Sequence, residues 1–212
     1  MENNLRINYK NSQEDSLGRG FIGNNNWDES LILSQFLGVK GSNMSEQVDY
    51  LHLLYLGSQD KIKVYDVSGK KIDYKLCEKL LVDKIKSQSH EGGNWIDADY
   101  KTSKKVLEVH SDHIFDNRGN IINYKSEVLD DDTLMENKLI DVIDFITKNH
   151  TSQGHISKKV KKGNFSSYFP RSYNDSVARF FAVVGGSVLI CSRYPSSRNS
   201  NLGVDVVAPR KQ

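Results

Sequence analysis

The sequence predicts a single-domain α/β protein: a mostly parallel sheet with helices on both faces, arranged as a partial three-layer sandwich. Three observations predict it. Strand-like and helix-like segments alternate along the chain, the order expected of strand–helix–strand units. The strand-like runs are short, apolar and without strict alternation, as in strands buried on both faces. And 212 residues, 37% of them hydrophobic and 26% charged, suffice for one large core. Only three prolines occur, so no rigid linker marks a boundary and residues 1–212 read as one domain.

The elements follow in order. Residues 1–30 are polar, rich in Asn and punctuated by Gly18, Gly20 and Gly23, and predict loops with one short strand near Leu5–Tyr9. From Ser42 to Leu56, Met44, Val48, Leu51 and Tyr55 recur at helical spacing, with Ser42 or Asn43 as N-cap. Lys61 to Lys70 alternates like a strand and ends in an Asp-x-x-Gly turn; Tyr74–Ile85 places Leu76, Leu80, Leu81 and Ile85 on one helical face. Residues 87–103, polar and Gly-containing, predict a surface excursion. Val106–Phe115 predicts a strand and Asp116–Asn120 a turn. Leu134–Lys148 gives the clearest helical pattern, with Leu139, Val142, Ile143 and Ile146 as its stripe and acids early. Phe180–Val184, Ser187–Cys191 and Val204–Ala208 predict buried strands. The likeness of Tyr65–Tyr74 to Phe115–Tyr124 is explained by shared turn chemistry rather than by a repeat.

Several function classes are excluded by composition. Basic and acidic residues number 29 and 27, a net charge of +2, which gives no argument for nucleic acid or an anionic membrane. Two distant cysteines, Cys77 and Cys191, make neither a disulfide framework nor a zinc ribbon. No apolar run is long enough for a membrane helix and the first residues lack a signal-peptide pattern, so the expectation is a cytoplasmic protein.

Phe169-Pro-Arg-Ser-Tyr173 with Val177 and Phe181–Val184, and above all Ser197-Arg-Asn-Ser-Asn-Leu-Gly-Val-Asp-Val-Val-Ala-Pro209, resemble the subtilisin-like serine protease family. Weaker matches fall in that family's order. Lys40–Met44 stands where its His-Gly-Thr motif opens a helix, Val64–Gly69 resembles the strand and turn that follow, and Gly163-Asn164 stands at its oxyanion Gly-Asn. The resemblance spans roughly residues 40–209. It implies a parallel-sheet sandwich and, at the same time, a catalytic apparatus this chain does not complete. Serine hydrolysis needs an imidazole base, an acid to orient it and a held serine. The His position is Lys40, whose ammonium cannot accept a proton as imidazole does; the Asp position falls at Asn8; the Ser motif belongs beyond Gln212. Asn164 alone survives as an oxyanion-position candidate.

Rival sites come from the residues themselves. Glu108, His110, Asp112, His113 and Asp116 form a cluster in which imidazole and carboxylate together suit zinc or manganese; on a strand Glu108, His110 and Asp112 share a face. A solvated strand end produces the same residue types. Asp97, Asp99 and Lys101, or Glu108 with nearby lysines, fit a Mg²⁺ nuclease, though such mixtures are common on surfaces. His90–Trp95 reads as a binding loop or a plain one, Lys158–Lys162, Arg193 and Arg198 as solvated basic faces, and Cys77 as a buried thiol.

The function expected is therefore a catalytically incomplete subtilisin-like module, without cofactor, that binds a peptide or protein partner or self-associates through exposed sheet surface. The alternatives are a serine peptidase completed by another chain, and a metal-dependent hydrolase or nuclease using His110, His113 and Asp116.

Overall fold

A computed structural model of the chain describes residues 5–7, 21–23, 26–36, 40–66, 70–86, 92–103, 106–168, 176–180, 187–193 and 201–207. The elements in order are β1 (Leu5–Ile7), β2 (Phe21–Gly23), α1 (Trp27–Phe36), β3 (Lys40–Gly41), α2 (Met44–Ser58), β4 (Val64–Asp66), β5 (Lys71–Ile72), α3 (Tyr74–Lys86) and β6 (Gly92–Ser103). Then come β7 (Val106–Phe115), β8 (Ile121–Val128), β9 (Lys138–Ile140), α4 (Val142–Thr147), β10 (Phe165–Tyr168), β11 (Ser176–Phe180), β12 (Ser187–Arg193) and β13 (Asn201–Val207).

The parallel sheet is overturned. β6, β7 and β8 are joined by short connections, which permit only antiparallel pairing, and they form a meander with Asp99 opposite His110 and His110 opposite Ser126. β11 pairs antiparallel with β6 and β12, β9 with β10, and β2 and β3 with β13. Among the described strands, parallel contacts are confined to β1–β4, β10–β12 and β13–β6, so neither sheet is parallel. The three-layer sandwich implied by the protease resemblance is thus not this architecture. β13 does lie beside β6 in parallel, but inside a mixed sheet.

Two further expectations fail for local reasons. Leu134–Lys148 is helical only over Val142–Thr147. Asp141 caps that turn, accepting from Ile143 N at 2.9 Å and Asp144 N at 3.1 Å, while the preceding residues pair as β9 with β10. Residues 92–103 are no surface excursion but β6, which runs through the interior. Ile96, Ala98 and Tyr100 point to one side, into a core shared with Met44, Val48, Leu51 and Leu54 of α2, Phe145 and Ile146 of α4, and Val109 of β7. Trp95 points to the other side, against Trp27, Leu31 and Phe115. That alternation is the period of a strand, with Asp97 and Asp99 on the Trp95 side.

The helices follow their caps. α2 starts with a reciprocal capping box, Glu46 N to Asn43 Oδ1 at 3.1 Å and Asn43 N to Glu46 Oε2 at 3.0 Å. α1, whose first four residues fall within the 1–30 segment expected to be loop, has the same device in Asn26 and Glu29. α3 spans Tyr74–Lys86 much as expected, with Cys77 buried and its thiol pushed up by burial. Gly57 of α2 has its space taken: a Cβ there would lie 2.7 Å from Val64 and 2.8 Å from the Cys77 sulfur. The likeness of 65–74 to 115–124 extends to strand pairing, since β4 pairs antiparallel with β5 and β7 with β8; residues 67–69 of the first lie outside the described residues.

Candidate active site: an acid–imidazole chain across three strands

The site is built on the polar face of β6. Asp97 and Asp99 lie two residues apart and share it. On β7, His110 sits directly opposite Asp99. His113, three residues on, would face away in an unbroken strand. A bulge between Ser111 and Ile114, with Asp112 at φ 54°, inserts the residue that turns His113 to the same side. Asn120, Arg118 and Gly119 close the hairpin beyond it on Asp116.

The side chains form a chain of alternating acids and imidazoles. His113 Nδ1 is 2.5 Å from Asp97 Oδ1, and its backbone N–H also donates to Asp97 Oδ2 at 3.2 Å. His113 Nε2 is 3.3 Å from Asp99 Oδ1. The same oxygen is 3.3 Å from His110 Nδ1, and His110 Nε2 is 3.4 Å from Glu108 Oε2. Ser126 of β8 then donates to Glu108 at 2.9 Å. Both nitrogens of both rings therefore face carboxylates. Asp99 Oδ1 and His110 Nδ1 are buried and make no hydrogen bond despite their proximity.

Aromatic rings wall the chain in. Trp27 of α1 meets His113 edge-on at 5.1 Å between centroids, and its indole N–H donates to Ile96 O at 2.7 Å. Tyr124 of β8 stacks on His110 at 4.4 Å and 22° while remaining 46% exposed. Gln35 of α1 exchanges hydrogen bonds with both backbone groups of Phe115, pinning the end of β7 under the helix. The His113 side chain is 1% exposed and that of Glu108 is 25% exposed, so the chain runs from the interior toward solvent at β8.

The electrostatics follow from this enclosure. Burial works against charge on His113, but its hydrogen bonds to Asp97 and the nearby charges of Asp97 and Asp99 outweigh it and push its pKa up to about 9. Burial raises the Asp97 carboxyl, opposed by His113. Asp28, in the first turn of α1, is raised by burial as well, with His113 opposing and Asp99 reinforcing. Perturbed titrations of this kind gather where chemistry is done.

The residues singled out from sequence are redistributed. His110, His113 and Glu108 from one candidate cluster and Asp97 and Asp99 from another come together as one site. Asp116 does not join them: it is exposed, held low by hydrogen bonds within its own turn. Lys101 reaches Asp99 at 3.5 Å from the rim. Asp112 points to Lys40, which bridges it at 2.6 Å to Glu46 at 2.9 Å. Lys40 is thus an ion-paired residue whose ammonium is held raised, burial being outweighed by those two carboxylates. Asn164 is exposed in the turn before β10, and Asn8 lies outside the described residues. So do most of the C-terminal residues that carry the protease resemblance, beyond the backbone of β13. Among the described residues no three His, Cys, Asp or Glu side chains are grouped so as to hold a metal ion. Trp27, Asp28 and Tyr124 were not foreseen; the Asn26–Glu29 capping pair was the available signal for the first two. Among the described residues no helix is long and apolar enough to cross a membrane.

No family model matches the chain, and no curated protein or solved structure is similar to it.

Proposed function

We propose that the protein is an enzyme of hydrolytic type whose general acid–base centre is the chain Asp97–His113–Asp99–His110–Glu108. The observation that carries this reading is the alternation itself: two imidazoles, each with both nitrogens on carboxylates, at 2.5 to 3.4 Å along the whole length. A sheet face needed only for stability is better filled with apolar side chains, because burying several ionisable groups costs more than their attraction returns. Here an otherwise apolar wall of Trp27, Trp95 and Phe115 surrounds the charges.

The roles follow from position. His113, with a pKa of about 9, keeps its proton at neutral pH and serves as a fixed positive charge that holds Asp99 in place. The Asp99 carboxylate lies 3.3 Å from His110 Nδ1, on the side from which an acid acts on the base in a hydrolytic triad, and acts on that ring through its charge. His110 hands protons to or from the solvent-facing end at Glu108, beneath Tyr124. Asp28, its carboxyl raised by burial, is a second acid beside the chain. The exposed outer surface of Tyr124 is the platform on which a substrate meets this end.

The test is turnover of nitrophenyl carboxylate, phosphate and phosphodiester esters by the wild-type protein and by His110→Gln and Asp99→Asn. Positioned acid–base groups contribute about 10²–10⁴-fold, so each variant should lose about a hundredfold or more while keeping a wild-type circular dichroism spectrum. Absence of turnover on every ester, or equal turnover by folded variants, overturns the reading.

A further inference from the structure

We infer that the protein self-associates through the free edge of β8, adding β8 of a second copy antiparallel to its own. β8 is eight residues long, exposed throughout, and among the described strands pairs only with β7. Ile122, Tyr124 and Val128 stand exposed along it, the kind of long apolar edge that natural sheets normally cover or blunt.

The backbone fixes which groups are free. Leu129 N donates to Leu107 O at 3.0 Å, in register with Glu127 opposite Val109 and Lys125 opposite Ser111. Odd-numbered residues of β8 therefore direct their backbone groups at β7, and Tyr124, Ser126 and Val128 direct theirs outward. A second β8 can bond only to those even positions.

The charges then select the register. With Ser126 opposite Ser126 on the twofold axis, Lys125 lies opposite Glu127 of the second copy, twice. Tyr124 lies opposite its Val128, an aromatic and β-branched pair. Lys125 and Glu127 occupy the non-hydrogen-bonded positions, where side chains approach more closely. A shift of two in the summed numbering sets Lys125 against Lys125, or Glu127 against Glu127. Within one chain Lys125 and Glu127 already sit 3.1 Å apart, so association joins two such pairs into a four-charge network. The same step sets Val128 of the second copy beside Tyr124, the ring that stacks on His110, and leaves the outer surface of that ring open.

Sedimentation equilibrium on the full chain tests the inference. The wild-type protein should be a concentration-dependent dimer. Lys125→Glu, which sets like charges opposite one another, should weaken it about tenfold or more; adding Glu127→Lys to that variant should restore it, since the reversed pair is again complementary. Both variants alter exposed side chains only, and circular dichroism checks their fold. A wild-type protein that stays monomeric at high concentration overturns the inference. So does a dimer indifferent to Lys125→Glu, or one that the double reversal fails to restore.

Discussion

The two faces of β6 solve the problem of burial in opposite ways. On one, Ile96, Ala98 and Tyr100 enter an apolar core beside His155, which is fully enclosed and bonded to Tyr100 Oη at 2.9 Å. Burial outweighs the charge of Asp130 and drives His155 down to about 4, so it is neutral. On the other, His113 is just as enclosed yet pushed up to about 9, because two carboxylates face it. Equal burial with opposite titration teaches that partners, not enclosure, decide whether an imidazole in this fold carries charge.

The largest effects should come from truncating each face and should differ in kind. Ile96→Ala removes a fully buried side chain and is expected to cost about 3–4 kcal/mol in urea unfolding, the same at every pH. Asp97→Asn strands the His113 charge, and breaking a buried pair costs about 3 kcal/mol at neutral pH. Its loss should shrink above pH 9, where the imidazolium is gone in either protein. Equal losses for Asp97→Asn at pH 6 and pH 10 would erase the contrast.

The unmodified protein should show both titrations in its stability. A folded pKa above the unfolded one means the folded state holds the proton more tightly. His113's contribution is therefore complete below about pH 6.5 and is lost as pH rises to about 9. For His155 the sign reverses: the unfolded chain takes the proton first, so stability is complete above pH 6.5 and falls toward pH 4. Each limb amounts to about 3 kcal/mol. Urea midpoints from pH 4 to pH 10 should trace a dome, and a flat profile on either side removes the corresponding histidine from the account.

The sequence carried this contrast only in part. Ile96-Asp-Ala-Asp-Tyr100 alternates strictly, the period of a strand with one apolar face, although residues 87–103 read as a surface excursion. The two aspartates, read as surface chemistry, concealed it, since carboxylates are rarely interior unless paired. Their partners were beyond local reading: His113 reaches the site only because the bulge at Asp112 breaks the period-two rule. α2 and α3 were legible because capping and helical spacing are local. The Leu134–Lys148 pattern misled because Asp141 caps a late, short helix and β9 finds its partner in β10, more than twenty residues on. Strand direction was misread with the elements themselves, for a strand taken as loop turns an antiparallel meander into an apparent crossover.

A smaller change should sharpen the contrast. His155→Phe keeps most of the volume but leaves Tyr100 Oη without this partner, a cost of about 1 kcal/mol at pH 7. It should abolish the acid limb and leave the alkaline limb untouched, because His113 is on the far side of β6. Retention of the acid limb in this variant would assign it elsewhere.

The smallest effect tests whether the faces are independent. Asn43→Ala removes the α2 cap and should cost about 1 kcal/mol, since α2 packs on the apolar face. One path joins that cap to the site: Glu46, half of the capping box, also holds Lys40, which holds Asp112 beside His113. These pairs are about a third exposed, where solvent screens them to under about 1 kcal/mol. Asn43→Ala should therefore lower the whole dome evenly and leave the His113 titration at about 9, as read by imidazole proton resonances. A displaced titration would show that the Glu46–Lys40–Asp112 bridge couples helix capping to the acid–imidazole chain despite its exposure.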